Sequence, residues 1–99
     1  MYVAVFATDK PGTADARREH FNAFVEYLRE HPNHPDVAVH HGGPTLSEDA
    51  STMIGTLLVL EAPSLDAVRA FVADSPLGRA GVYGDVQVRP WEWRTGKPE

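Results

Sequence analysis

The sequence YVAVFAT, residues 2 to 8, is apolar on both alternating sets of side chains, with Val3 and Val5 on one face and Tyr2, Ala4 and Phe6 on the other. A strand that is apolar on both faces lies inside a sheet that is covered on both sides. The sequence DKPG, residues 9 to 12, then breaks the strand, because proline fixes φ and glycine accepts a positive φ. Residues 2 to 8 therefore predict the central strand of a sheet with two buried faces.

The remaining elements follow from the same kind of pattern. Thr13 is suited to cap a helix that runs to about His31, where the prolines of HPNHP end it. The elements predicted after it are, in chain order, a short strand over 36–41, a polar turn-rich connection over 42–51, a strand over 53–61, a helix capped by Ser64 over 65–74 that SPLG interrupts, and a last strand over about 82–91. The order βαββαβ predicts an α+β ferredoxin-like fold: a four-stranded antiparallel sheet with two helices on one face, and strand 3 between strands 1 and 2.

The length and composition bound the class of protein. A chain of 99 residues has room for one domain, which we place at residues 1–95 with a loose tail at 96–99. The formal net charge of −5 argues against a nucleic-acid partner, and the lack of cysteine excludes disulfides and thiolate metal sites. No run approaches the ~20 apolar residues of a membrane span, and we expect no secretory signal. We therefore expect a cytoplasmic protein without a membrane partner.

The sheet has one apolar face that two helices on the other side cannot cover. An exposed apolar sheet face would be an aggregation hazard. The cover that we expect is a second copy of the same sheet, packed face to face as a two-fold homodimer. Tyr83 and Trp91, on the mixed face of the last strand, are expected to contribute contacts there.

The sequence ARREHF, residues 16 to 21, places polar side chains inside the apolar stripe of helix 1. At ~100° per residue, Arg17 lies ~20° and His20 ~40° from Phe24, which marks the centre of the buried face. Burying either side chain without a partner is costly. We therefore expect Arg17 and His20 to point at the sheet and to meet polar partners.

The topology brings further polar residues to the same end of the sheet. They are Asp9 at the end of strand 1, Asp74 and Ser75 at the end of helix 2, and His40 and Gly43 in the hairpin segment HHGGP. A histidine, an arginine, carboxylates and a glycine-rich turn compose a typical small-molecule site. The alternatives are a satisfied core histidine at His20 and a plain edge-strand pair at His40 and His41.

Metal and cofactor sites have no specific signal. The combination of His20, His40 and an aspartate has a spacing that matches no metal motif, so no metal is predicted. The chain also has neither the dinucleotide-binding glycine fingerprint nor a P-loop. Any chemistry is therefore expected to be cofactor-free.

Four stretches together carry a family resemblance: YVAVFATDKPG, RREHF, GGPTL and SPLGRAGVYGDVQVRPW, which span nearly the whole chain. On these stretches the chain resembles the YCII-related family of small dimeric ferredoxin-like proteins. It resembles more distantly the muconolactone isomerases and other dimeric α/β barrels. The resemblance implies a cleft with a histidine–aspartate pair that acts as acid and base, and one relative is a dehydrochlorinase of chlorinated hydroxyquinols.

The resemblance also implies roles for individual residues. The family's helix-1 histidine corresponds to His20, and the aspartate that closes strand 1 corresponds to Asp9. The family's D-P-[FY] turn reads DSPL here, residues 74 to 77, so serine precedes proline and leucine replaces the aromatic residue. This departure favours Asp9 as the partner of His20 and leaves Asp74 or Ser75 as alternatives.

Three function classes stay open. In the first, a cofactor-free lyase or isomerase, His20 moves a proton, Asp9 or Asp74 orients it, and a small aromatic or enolisable substrate binds. Arg17 would hold a substrate carboxylate, phenolate or enolate. Further substrate contacts would come from Ser75, His40 and Gly43. The second class is a non-catalytic ligand-binding or accessory module, and the third is a structural dimerisation domain.

Overall fold

The strands and helices follow the predicted order with one addition. The computed structural model describes residues 1–98, and its elements are β1 (Tyr2–Asp9), α1 (Ala14–Arg29), β2 (Ala38–Leu46), β3 (Met53–Glu61), α2 (Leu65–Asp74), α3 (Pro76–Arg79) and β4 (Tyr83–Pro90). The sequence SPLG does interrupt the second helix, as predicted, but it continues into the short helix α3. Ser75 begins α3 because its Oγ accepts a hydrogen bond from the Gly78 backbone N–H.

The sheet confirms the α+β ferredoxin-like prediction. Its strand order is β2-β3-β1-β4, and each neighbouring pair is antiparallel. β1 is a central strand, and β1 and β2 run in the same direction with β3 between them. The end of β1, the β2–β3 hairpin and the start of β4 therefore lie at one end of the sheet, which we call the Asp9 end.

The core lies between the sheet and the helices. Val3 and Val5 of β1 are fully buried, and Phe24 of α1 is buried against this face. Arg17 is buried on the same face of α1 as Phe24, two helical turns before it, as the helical wheel predicts. His20 is only half-buried, so it lies at the margin of the stripe.

The opposite face of the sheet, which we call the outer face, carries exposed apolar side chains. Phe6 is 48% exposed and its cross-strand partner Leu57 is 47% exposed. Trp91, just after β4, is 39% exposed. The apolar pattern of strands 1 and 3 on this face is confirmed, and its cover by a second copy stays a prediction.

The predicted end of the second strand is wrong. The segment GGPTL was predicted to begin a turn, but β2 continues through it to Leu46. Gly43 pairs with Leu57 and Pro44 with Thr56, because pairing with β3 overrides the weak strand propensity of glycine and proline. His40 therefore lies near the start of β2, at the opposite end of the sheet from Asp9.

The prediction that Tyr83 lies on the outer face is also wrong. Ala7 pairs with Val86 and Asp9 with Tyr83, so β4 uses one more residue than β1 between these two pairs. Such a bulge changes the face to which the following side chains point. Tyr83 consequently lies on the helix side of the sheet and not on the outer face.

The chain after β4 returns across the start of the sheet. The ring of Trp93 packs against the rings of Tyr2, His40 and His41 at centroid distances of 5.4, 5.4 and 5.6 Å. In the predicted loose tail, residues 96–98 are exposed, and Glu99 lies outside the described residues. Within residues 1–98, no helix is long and apolar enough to cross a membrane.

Candidate functional site

Arg17 is the centre of a buried polar cluster at the Asp9 end. Its Nε and Nη2 donate to Oδ2 and Oδ1 of Asp9 at 2.5 and 2.8 Å. Nη2 also donates to Thr56 Oγ1 at 2.8 Å, and Tyr83 Oη donates to the same oxygen at 3.0 Å. The cluster of Asp9, Arg17, Thr56 and Tyr83, which we call the Arg17 cluster, therefore joins α1 to three strands.

The ion pair in this cluster is shielded from solvent. The side chains of Arg17 and Asp9 are 1% and 8% exposed. A two-pronged contact between guanidinium and carboxylate fixes both groups in one plane, and removing either would leave a buried charge uncompensated. Both oxygens of Asp9 are occupied by Arg17, so the structure does not bring Asp9 and His20 together as a pair.

One donor of the cluster has no acceptor. Arg17 Nη1 is buried, and within residues 1–98 it is the one buried side-chain polar atom without a hydrogen-bond partner. An unsatisfied buried donor costs about 1–3 kcal/mol. An oxygen atom of a bound ligand placed beside Nη1 would recover that energy.

Tyr83 connects the cluster to a groove. The Arg17 guanidinium carbon lies 6.0 Å from the centre of the Tyr83 ring. Burial raises the pKa of the Tyr83 hydroxyl, against the lowering effect of its hydrogen bond to Thr56. Tyr83 also lines a groove of about 530 Å³ between α2, α3 and β4. The hydroxyl is thus a neutral donor near pH 7.

His20 lies one helical turn after Arg17. It precedes Tyr27 by seven residues, so the two side chains leave α1 within ~20° of each other. Tyr27 Oη donates to the backbone oxygen of Phe71 in α2 at 2.7 Å. His20 therefore lies on the same side of α1 as Tyr27, which contacts α2 two turns further along the helix.

The His20 ring is free of internal partners. Within residues 1–98, the histidine rings that form hydrogen bonds are those of His31, His34 and His40. A half-buried imidazole without a partner differs from a satisfied core histidine, which is the structural alternative. Both nitrogens of His20 are available to a ligand.

Asp74 forms the histidine–aspartate pair that the structure contains, but with a different histidine. Its Oδ2 lies 2.8 Å from His34 Nε2, and its Oδ1 accepts a hydrogen bond from Arg79 Nε at 2.9 Å. The hydrogen bond from His34, followed by that from Arg79, lowers the pKa of Asp74. This pair links the α1–β2 loop to the end of α2, and His20 takes no part in it.

Ser75 is buried and fully used by the backbone. Its Oγ donates to the Val72 carbonyl oxygen at 2.6 Å and accepts from the Gly78 N–H at 3.1 Å. The hydroxyl therefore stabilises the α2–α3 junction. Its one proton is therefore taken, and the residue is 1% exposed, so Ser75 offers no hydrogen-bond donor to a substrate.

The structure separates His40 from the Arg17 cluster, whereas Gly43 pairs with Leu57, the neighbour of Thr56 in β3. His40 Nε2 lies 3.0 Å from Glu61 Oε1, and its ring packs against Tyr2 at 5.6 Å, away from the Asp9 end. Gly43 lies in the middle of β2. His20 and His40 do not meet, and no three metal-ligating side chains from histidine, cysteine, aspartate or glutamate come together in the described part of the chain.

Two members of the Arg17 cluster, Thr56 and Tyr83, were not predicted from the sequence as site residues. Thr56 shares a face of β3 with Leu58 and Leu60, so a polar residue on a buried face was a readable signal. Tyr83 could not be placed, because the bulge that turns it inward leaves no trace in the alternation of β4.

Comparison with known proteins gives matches over nearly the whole chain. The model of the YCII-related domain family matches residues 1–92. An uncharacterized protein from Haemophilus influenzae is 31% identical over 99 residues, with 93% of this chain and 97% of that protein covered.

The solved structures that match share the fold. The 5-chloro-2-hydroxyhydroquinone dehydrochlorinase TftG from Burkholderia phenoliruptrix AC1100, in complex with 2,5-dihydroxybenzoquinone, has a TM-score of 0.77 and 31% identity, with 93% of this chain and 94% of that chain covered. An antibiotic biosynthesis monooxygenase has a TM-score of 0.54 and 17% identity, with 95% and 99% covered. The second likeness concerns the fold alone.

Proposed function

Because the chain belongs to the YCII-related family, we propose that it is a small cofactor-free enzyme that moves protons on a hydroxylated ring compound. The observation that carries this proposal is the buried, unpartnered Nη1 of Arg17, one helical turn from the free imidazole of His20. A phenolate or enolate oxygen would accept from Nη1. His20 would then exchange a proton with the same ring.

The likeness to a dehydrochlorinase supports this substrate class. Loss of HCl from 5-chloro-2-hydroxyhydroquinone needs no oxidant, because the chloride leaves with the electron pair of the C–Cl bond and a hydroxyquinone remains. His20 would take a hydroxyl proton and return it to the carbon that bears chlorine. Loss of a second hydroxyl proton would then form the carbonyl group and expel chloride.

The other predicted site residues would act through these two. Asp9 would be a positioning residue, since it fixes the plane of the Arg17 guanidinium. Tyr83 would donate to a second ring oxygen once its hydrogen bond to Thr56 is exchanged. Asp74 and Ser75 would hold the α2–α3 junction beside the site.

Turnover by a His20→Asn variant tests the proposal. We expect release of chloride from 5-chloro-2-hydroxyhydroquinone to fall by about 10²-fold or more, the usual contribution of a positioned general base. His41→Asn, an exposed histidine of β2, is the matched control and should keep full activity. Equal turnover by the wild type and by His20→Asn would contradict the proposal.

A non-catalytic ligand-binding module is the second candidate. The observation that favours it is the engagement of Asp9 by Arg17, which leaves His20 without a carboxylate to orient it. This candidate predicts that 2,5-dihydroxybenzoquinone binds at Arg17 while no hydroxylated ring compound is turned over.

We also propose that the protein is a homodimer through the outer face. Phe6 and Leu57 are cross-strand neighbours with about half of each side chain exposed, and Trp91 extends the apolar patch. A second copy packed face to face would bury this patch on both chains. The helix side, with the Arg17 cluster, would stay open to ligands.

A further inference from the structure

The edge strand β4 has backbone groups that no other strand uses. β4 ends the sheet order and pairs on one side with β1. The Trp91 backbone N–H donates to the Tyr2 carbonyl oxygen at 2.9 Å. Because hydrogen bonding alternates along an antiparallel pair, the N–H and C=O groups of Val86 and Val88 point away from β1.

The side chains of this edge form a symmetric pattern about Gln87. Asp85 and Arg89 lie two residues before and two residues after it, and both are exposed. Neither forms a salt bridge within residues 1–98, although other exposed acidic and basic residues do. An acidic and a basic residue placed symmetrically about one point are complementary to the same segment running in the opposite direction.

We propose that the β4 edges of two copies pair antiparallel about Gln87 and join two sheets into one. In this register Asp85 lies opposite the partner's Arg89, and Val86 lies opposite the partner's Val88. The outward N–H and C=O groups of the two valines are then in hydrogen-bonded positions. Cross-strand pairs of opposite charge and of β-branched residues both stabilise a sheet.

The groove beside β4 leaves room for this pairing. It measures about 530 Å³ and separates the edge from Val72 and Ala73 of α2. A strand added at the edge would place apolar side chains over Val72 and Ala73. It would also pair a free sheet edge, and free edges are an aggregation hazard. The interface differs from the outer face, so the two together would build a tetramer.

Charge reversal on a variant without the outer-face contact tests the pairing. Leu57→Asp should still sediment as a dimer, held by the β4 edges. Adding Asp85→Lys, or separately Arg89→Glu, opposes like charges in both symmetric pairs and should raise the dimer dissociation constant about tenfold or more. Asp85→Lys combined with Arg89→Glu restores opposite charges across the two-fold axis and should restore the dimer.

Analytical ultracentrifugation reports the outcome, with Asp36→Lys as the matched control because Asp36 is exposed and remote from β4. Circular dichroism establishes that each variant is folded. A monomeric Leu57→Asp protein would overturn the pairing, as would a dimer that both single reversals leave intact. Loss of the dimer in the doubly reversed protein would also overturn it. Slow amide exchange at Val86 and Val88 in the wild type is the second expected result, and fast exchange at both would contradict it.

Discussion

At the scale of single residues, Arg17 is the residue on which both the buried polar cluster and the proposed ligand site depend. Its guanidinium reaches Asp9 with two nitrogens and Thr56 with one of the same two, and a third nitrogen is left for a ligand. Lysine could not do this, because an ammonium group lacks the planar fork. The residue thus combines a structural role with an open donor.

The buried ion pair makes a stability prediction. Asp9→Asn leaves the Arg17 charge without its counter-ion, and we expect a loss of about 3–5 kcal/mol in the free energy of unfolding. Asp15→Asn, in an exposed pair with Arg18, is the control and should change it by less than about 1 kcal/mol. Urea denaturation measures the free energy of unfolding of both variants. Equal effects of the two substitutions would contradict a stabilising role of the buried ion pair.

Asp74 makes a prediction about pH. Its pKa is lowered in the folded state by His34 and Arg79, so its carboxylate stabilises the fold above the unfolded pKa of about 3.9. That stability is lost as the pH falls through the lowered pKa. The wild type should therefore be more stable than Asp74→Asn at pH 7, and the gap should shrink below about pH 4. Urea denaturation at pH 7 and pH 3 tests this, with Asp36→Asn as the control for charge removal; a constant gap is the contrary result.

The residues that reach the site were predictable, but their partners were not. Strand direction and helical periodicity bring Asp9 and Arg17 to the same end of the sheet, where the structure has them, whereas Asp74 contacts His34 of the loop that leads into the start of β2. Which carboxylate meets which base depends on side-chain length and rotamer. In the structure, Asp9 binds Arg17 and not His20, and Asp74 contacts His34 of the α1–β2 loop.

At the scale of elements, the differences from prediction come from local irregularities of strands. A glycine–proline segment within β2 resembles a turn in sequence, yet it is held in the sheet by its partner strand. A one-residue bulge in β4 reverses the face of Tyr83. Both effects arise from pairing between distant strands, which local sequence does not encode.

Gly55 makes a prediction about strand packing. A Cβ at this position would lie 2.3 Å from the Ala7 backbone oxygen, so β1 and β3 would have to move apart. We expect Gly55→Ala to lower the free energy of unfolding by about 1–3 kcal/mol, as overpacking does.

Gly43→Ala is the matched control for Gly55, because an added Cβ at position 43 meets no atom within 4 Å. It should change the stability by less than about 0.5 kcal/mol. Thermal and urea unfolding of the two variants measure the difference. Equal losses of stability in the two variants would mean that the close approach of β1 and β3 at Gly55 does not cause the destabilisation.

At the scale of the whole molecule, the fold was predictable because every level of the sequence agrees. Apolar alternation, helical periodicity and right-handed connections lead to one topology, and the sheet order follows it. The same patterns identify an uncovered apolar face, but they do not say what covers it. The association of two copies through this face therefore needs an experiment of its own.

Leu57→Asp tests the outer-face dimer. A carboxylate at the centre of a buried interface has no partner, so we expect the mass of the assembly in sedimentation to halve. Ala70→Asp adds the same charge on the exposed side of α2 and is the control. An unchanged mass for Leu57→Asp would remove the outer face as an interface.

The most direct test of the ligand site at Arg17 and His20 is an NMR titration of the protein with 2,5-dihydroxybenzoquinone. The signals followed are those of the Arg17 guanidinium, the His20 ring and the backbone amides. We expect the Arg17 Nη1 protons and the His20 ring to shift together, and Arg17→Lys to abolish the shifts at His20. Shifts confined to other residues, or a His20 response that survives Arg17→Lys unchanged, would contradict the assignment of the site.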